Sequence, residues 1–251
     1  MKRIAEQIIW LPWTIWCGST FSILLLLSFP ILIAGVMSGN ERWIRQLHFI
    51  PLWISRTLLV LWGIRIELHE EEPKETLRQA IFISNHTSYL DALVAGTLIR
   101  NYVKFLGKAE LLYWPVLGYL IKHLYVPVRR EDSENRAWSM EQMKEKVHAG
   151  ASFFICPEGT CNTTPELLKH FHSGAFRLAV ACQIPLVVFT IVNAGRLFPR
   201  KGLMIRPGRL VVYRHRPIET TGMVEADVER LKEQAIALIT TDLEHESASK
   251  F

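Results

Sequence analysis

Cysteine is scarce in this chain and scattered. The four thiols, Cys17, Cys156, Cys161 and Cys182, form no C-x-x-C pair and no His/Cys group at metal-ligand spacing. A disulfide framework and a structural zinc are therefore not expected, and reduced thiols are. No G-x-S-x-G nucleophile elbow is present, which removes the usual serine route to acyl chemistry. There is no internal repeat and no low-complexity tract. No soluble face interleaves basic with aromatic residues, so nucleic acid is not expected as a partner. The most telling absence is of charge: residues 7–40 carry no ionisable acid or base other than Cys17.

What stands in place of charge is apolar. Hydrophobic residues make up 49% of the 251. The formal charge of +5 is uneven, with six basic and two acidic residues in 1–65, and 23 basic against 22 acidic in the remaining 186. Positive charge thus accompanies the most apolar segment, which suits an anionic lipid surface. As one helix, residues 7–40 would reach ~51 Å, beyond a ~30 Å hydrocarbon core. Pro12, Gly18 and Pro30 argue against one straight helix. A second apolar run, 47–64, is interrupted by Arg56, for which a shallow, interfacial depth is cheapest. Six of the eight tryptophans (Trp10, Trp13, Trp16, Trp43, Trp53 and Trp62) lie here, and tryptophan favours the headgroup boundary. A monotopic or re-entrant helical device over residues 1–65 is the preferred expectation, ahead of a true span or a buried helical pair. The stretch is too long for a signal-peptide core and lacks a small-x-small cleavage site.

From residue 66 to 251 short apolar runs alternate with helical patterns. Strands are expected at 64–68, 80–84, 103–106, 124–128, 152–156, 186–192, 204–205 and 210–213. Helices are expected at 89–99, 115–123, 133–148, 165–182 and 224–243. Alternation of this kind predicts an α/β domain with a mostly parallel sheet covered by helices, whose reactive groups gather beyond the strand ends.

One stretch carries chemistry. Asn85-His86-Thr87-Ser88-Tyr89-Leu90-Asp91 follows the run Ala80-Ile81-Phe82-Ile83 and opens a helical pattern. A carboxylate on one imidazole nitrogen fixes the tautomer and stabilises the imidazolium, leaving the other nitrogen free to take a proton. With no serine assigned as nucleophile to this pair, the proton must come from a substrate, most simply an alcohol. Further blocks end strands in the same way: Lys108-Ala109-Glu110-Leu111, Val126-Pro127-Val128-Arg129-Arg130 and Pro157-Glu158-Gly159-Thr160.

In this order the blocks resemble the glycerolipid acyltransferase family, whose members acylate glycerol-3-phosphate and lysophospholipids. The resemblance spans about residues 80–192 and includes Gly174-Ala175-Phe176 and Ile184-Pro185-Leu186-Val187. It implies that His86 deprotonates a glycerol hydroxyl, which attacks a thioester, while Asp91 orients His86. It further implies that Arg130 and Lys108 hold the acceptor phosphate, and that Asn85, Glu158, Gly159 and Thr160 shape the acceptor site. The implied donor is acyl-coenzyme A or acyl-carrier protein, with no metal or bound cofactor. The implied setting is a membrane, with the α/β domain on its cytoplasmic side.

The chain departs from the family at Cys161, where many phosphatidate-forming relatives carry an arginine after E-G-T. Either the demand for a terminal phosphomonoester is weaker, or Arg129, Arg177 or Arg196 replaces the cation. Cys161 as a nucleophile, a hydrolase of acyl esters or thioesters, and a non-catalytic lipid-binding scaffold are the competing readings.

Overall fold

Runs of β-branched and aromatic residues, four to seven long, build the frame. The computed structural model describes residues 2–71, 77–108, 125–128, 133–200 and 204–248. Three helices come first, α1 (Lys2–Met37), α2 (Glu41–Gln46) and α3 (Phe49–Leu61), followed by β1 (Ile64–Glu70) and β2 (Ile81–Ser84). Then follow α4 (Leu90–Leu98), β3 (Val103–Lys108), β4 (Tyr125–Val128), α5 (Ser133–His148) and β5 (Ser152–Ile155). The chain continues through α6 (Gly174–Cys182), β6 (Leu186–Ile191), the short α7 (Ala194–Leu197), β7 (Gly208–Arg214) and α8 (Val228–Ala248). The seven strands form one sheet in the order β1-β7-β6-β2-β5-β3-β4. Every pairing is parallel except that of β6 with β7. The mostly parallel sheet expected from the alternating pattern is therefore the one observed.

Both faces of the sheet are covered, so β2, β5 and β6 are buried throughout and mostly apolar. Phe82, Phe154, Val187 and Phe189 face Leu58, Leu59, Trp62, Leu90 and Val94 of the α3 and α4 side. Their strand neighbours Ile81, Ile83, Phe153, Ile155, Leu186 and Val188 face Met143, Phe176, Leu178, Leu231 and Ile239 of α5, α6 and α8. Period-two alternation sorts one strand between two cores. The division anticipated at residue 65 falls inside β1, and α3 shares the first of these cores with the sheet.

The strand anticipated at 204–205 is absent. Two residues before Pro207 are too short for a ladder, and Pro207 lacks a donor. Arg206 N instead donates to Leu197 O at 2.8 Å, and Ile205 packs into the first core. The helix anticipated at 224–243 begins with a 3-10 turn, Glu225–Asp227, and runs on to Ala248. The helix anticipated at 115–123 lies outside the described residues.

The N-terminal segment differs from expectation in continuity. Helix α1 runs unbroken with Pro12 and Pro30 inside it. Hydroxyls of Thr14 and Ser28 donate back to carbonyls of the preceding turn, Trp10 O at 2.9 Å and Leu25 O at 2.8 Å. Within it, Trp10–Met37 is long and apolar enough to cross a membrane. Leu26, Leu27 and Ile31 of α1 are exposed, as are Trp43, Trp53 and Val60 of the helices that fold back beside it. Indole N–H groups tie the hairpin together: Trp16 donates to Leu61 O at 3.1 Å, and Trp62 to Thr20 Oγ1 at 3.1 Å. Arg56 donates to Thr97 O of α4 at 3.2 Å.

The contact of α3 with α4 depends on the missing side chain of Gly96. A Cβ there would come within 3.1 Å of Ser55 Cβ, and Ser55 Oγ would be closer still. Gly96→Val is expected to push α3 off α4 and destabilise the fold by ~1–3 kcal/mol, the usual cost of overpacking. Thermal unfolding in detergent checks this, and Ser55→Gly in the same chain is expected to restore part of the loss.

Candidate active site

The parallel sheet delivers its loops to one edge. Strands β2 and β5 are neighbours in register, Ile83 opposite Ile155, so their C-terminal loops leave side by side. The first carries His86 and the second Glu158. Lys108 closes β3 on this edge, paired in register with Val128 of β4. The Lys108 side chain, Arg129 and Arg130 lie outside the described residues.

Asp91 sits in the first turn of α4, where helical backbone fixes its position. Its Oδ2 accepts from His86 Nδ1 at 2.7 Å, Thr87 N at 2.9 Å and Ser88 N at 3.0 Å. Ser88 Oγ in turn accepts from Leu90 N at 3.1 Å. Ser88 and Asp91 thus share the S-x-x-D capping arrangement, in which an acid three residues on reaches back to the helix entrance. The same carboxylate that caps α4 holds the imidazole. Asp91 is 1% exposed and His86 25%, so the acid is withdrawn from water while the ring remains reachable.

Burial opposes charge on His86, but the hydrogen bond and charge of Asp91, with a lesser push from Cys161, raise its pKa to about 9. Burial also raises Asp91. The pair therefore holds its proton tightly, and the ring is a stronger base than a free imidazole. With Nδ1 committed to Asp91, the working nitrogen is Nε2. Cys161 Sγ lies 3.3 Å from it, a contact the sequence did not reveal.

Two side chains brace this loop. Asn85 is buried, and its amide closes a pair of bonds with one residue of β6: Nδ2 to Ile191 O at 2.9 Å, and Oδ1 from Ile191 N at 2.8 Å. Its amide thus clamps the end of β2 to β6. Glu158 is also buried; its Oε1 accepts from His86 N at 2.7 Å and its Oε2 from Lys169 N at 3.1 Å. Burial raises the Glu158 pKa, while these two backbone donors and the charge of His86 pull it down. Gly159 has φ +72°, a left-handed conformation that glycine adopts without strain. It turns the chain so that Asn162 N donates to His86 O at 2.6 Å. The E-G-T loop is thereby folded around the base, and Thr160 is at the surface.

Of the helix expected at 165–182, only α6 forms. Asn162 Nδ2 donates to Glu166 O at 2.8 Å, Glu158 takes Lys169 N, and Pro157 O takes His172 N at 2.9 Å. Backbone groups that a helix would pair internally are captured by the E-G-T loop. The irregular segment that results brings Lys169 Nζ to 2.6 Å from Thr160 Oγ1. Among the substitutes considered for the missing cation at position 161, Arg177 is paired with Glu225 at 2.8 Å. Arg196 lines a separate pocket with Asn193, Pro207 and Arg209. On the other flank of the His86 loop, Ser88 Oγ donates to Phe198 O at 2.7 Å, and the Arg200 guanidinium lies 4.3 Å from the centre of the Tyr89 ring. Among the described residues, no group of three or more His, Cys, Asp or Glu side chains is placed to hold a metal.

The arrangement supplies a base, an orienting acid and a cleft edge. The acyltransferase family profile matches residues 65–192. The chain is 29% identical over 212 residues to a chloroplastic 1-acyl-sn-glycerol-3-phosphate acyltransferase of Brassica napus, covering 80% of this chain and 60% of that one. It is 28% identical over 196 residues to the human 1-acyl-sn-glycerol-3-phosphate acyltransferase beta, covering 77% and 70%. It is 26% identical over 202 residues to the lyso-ornithine lipid O-acyltransferase of Pseudomonas aeruginosa, covering 74% and 76%. Against the two chloroplastic relatives, from Brassica napus and Arabidopsis thaliana, it spans 60% and 48% of their length. The crystal structure of the 1-acyl-sn-glycerophosphate acyltransferase of Thermotoga maritima has the same fold, with a TM-score of 0.72 at 20% identity over 96% of this chain and 98% of that one. The profile covers both the His86–Asp91 loop and the E-G-T loop, and the chain belongs to the acyltransferase family.

Proposed function

We propose that this protein is a membrane-bound O-acyltransferase that moves a fatty acyl chain from a thioester to the free hydroxyl of a lysophospholipid. The favoured acceptor is 1-acylglycerol-3-phosphate, giving phosphatidic acid, and the donor is acyl-coenzyme A or acyl-carrier protein. The observation that carries the reading is the 2.7 Å contact between His86 Nδ1 and Asp91 Oδ2, in a chain whose relatives bear that activity in their names.

The geometry supports the following sequence of steps. Nε2 takes the proton of the acceptor hydroxyl as its oxygen attacks the thioester carbonyl. Asp91 stabilises the imidazolium that forms. The carbon–sulfur bond breaks, and the departing thiolate recovers the proton from Nε2. Acceptor proton, acyl group and leaving thiol balance without a metal or a redox cofactor. The acceptor phosphate is assigned to Arg130 and Lys108, and the acceptor cleft to the Glu158, Gly159 and Thr160 loop held by Asn85. The apolar α1, with exposed tryptophans on α2 and α3, keeps the site at a lipid surface where acceptor and product reside; the catalytic face is assigned to the cytoplasmic side.

A second acceptor class has a specific argument behind it. Cys161 stands where a cation would serve a phosphomonoester, and one relative is named for a lyso-ornithine lipid. A matrix of donors against lysophosphatidate, lyso-ornithine lipid, lysophosphatidylcholine and glycerol-3-phosphate separates these acceptors. Donor breakdown that proceeds equally without acceptor would instead indicate a hydrolase.

Replacement of His86 by alanine is expected to leave a folded, membrane-bound protein with transfer reduced by ~10²–10⁴, the usual contribution of a positioned base. Radiolabelled acyl transfer, with circular dichroism on the same sample, checks this; near-normal transfer would rule out the base. The pH profile follows from the sign of the shift. The base must be neutral, so kcat/KM is expected to rise with pH through the raised His86 pKa of about 9. In Asp91→Asn the rise is expected to move down toward the ordinary imidazole value of ~6.5, while the plateau falls. A wild-type rise centred at or below the ordinary value would contradict the Asp91 bond as its cause.

A further inference from the structure

The acceptor reading above assigns the phosphate to Arg130 and Lys108, and position 161 adds no further cation. Cys161 Sγ touches Nε2 instead, so an additional cation on this flank would come from elsewhere in the chain. Arg177 is engaged with Glu225, and Arg196 opens on a different pocket. Arg200 is held against the ring of Tyr89. Lys169 differs from all three. Its backbone is fixed by Glu158, the same carboxylate that holds His86 N. Its ammonium reaches Thr160, the residue beside Cys161.

Chemistry at the ammonium fits a ligand. Nζ carries three donors, and one goes to a neutral hydroxyl. Among the described residues, no carboxylate forms an ion pair with it. An ammonium resting on a hydroxyl can turn to a phosphate oxygen without breaking a salt bridge. Lysine acts there as a point charge on a flexible stem, so it can follow the headgroup of an acceptor whose hydroxyl lies at Nε2. The segment is irregular because the E-G-T loop captures its backbone, and the sequence pattern, which predicted helix, hid this position.

We propose that Lys169 binds the anionic headgroup of the acceptor, a phosphomonoester in the favoured case, on the Thr160 side of the base, and so replaces the cation that position 161 lacks. This rests on the acceptor reading and makes Lys169 a determinant of headgroup choice.

The test is steady-state kinetics in detergent micelles with 1-acylglycerol-3-phosphate as acceptor and acyl-coenzyme A as donor. Lys169→Met is expected to raise the acceptor KM roughly tenfold, the scale of one charge-assisted hydrogen bond. The donor KM and the melting temperature are expected to stay near wild type, and Lys169→Arg to recover most of the acceptor affinity. Added salt should raise the acceptor KM of wild type more than that of Lys169→Met, since a charge contact is screened. An unchanged acceptor KM in Lys169→Met overturns the proposal while leaving the acyltransferase reading intact. A rise in the donor KM alone places Lys169 on the phosphates of coenzyme A and also overturns it. Lys169→Arg as impaired as Lys169→Met would indicate a purely structural role. Wild-type protein that transfers nothing to any anionic acceptor removes both this proposal and the acceptor reading.

Discussion

A single carboxylate oxygen organises this site. Oδ2 of Asp91 accepts hydrogen bonds from the His86 ring and from the backbone of Thr87 and Ser88. The two backbone bonds set the loop's curvature and cap α4; the ring bond fixes which imidazole nitrogen is left for chemistry. Because the acid is buried and the ring is partly exposed, a positive charge on His86 would meet a partner that water does not screen. Remove the carboxylate and both the helix entrance and the tautomer are released together.

The loop could not hold its place by that contact alone. Parallel pairing of β2 with β5 and β6 brings two further loops to the same edge, and each meets the His86 loop through a buried polar side chain. Asn85 bonds both backbone groups of Ile191, and Glu158 bonds His86 N. A buried polar group is costly unless satisfied, and here each amide or carboxylate is satisfied by backbone of a neighbouring loop. Three strands are thereby fixed relative to one another at the point where the base must stand. On the other side of α4, Gly96 and Ser55 let α3 approach closely, so the helix that carries Asp91 packs directly on the N-terminal hairpin. The site and the apolar N-terminal helices thus meet through one close helix contact.

Much of this was legible in the sequence for simple reasons. Short runs such as Ile81–Ser84 and Ser152–Ile155, three apolar residues and a serine each, are buried on both faces, so they signal a covered parallel sheet. His86 and Asp91 are close in sequence and follow a strand, so local geometry was enough to join them. Other features required tertiary contacts that no spacing encodes. Residues 165–173 carry a helix-like apolar pattern, yet Asn162, Pro157 and Glu158 capture their backbone, and Lys169 arrives at Thr160 as a result. The approach of Cys161 to Nε2 likewise depends on the left-handed turn at Gly159. Prolines 12 and 30 suggested a broken helix, but α1 runs through both, in an apolar stretch where helix is the conformation that pairs most backbone groups internally. The bond of Arg56 to a carbonyl of α4 is another such tertiary contact.

The central claim is that His86 and Asp91 act as one unit on the acceptor proton. A double-mutant cycle on kcat/KM for acyl transfer tests it most directly, because residues that act as a unit are not additive. The account predicts that His86→Ala/Asp91→Ala is no slower than His86→Ala alone, since an orienting acid has nothing left to orient. Losses that multiply, with the double variant slower by the product of the two single effects, would show independent roles and contradict it.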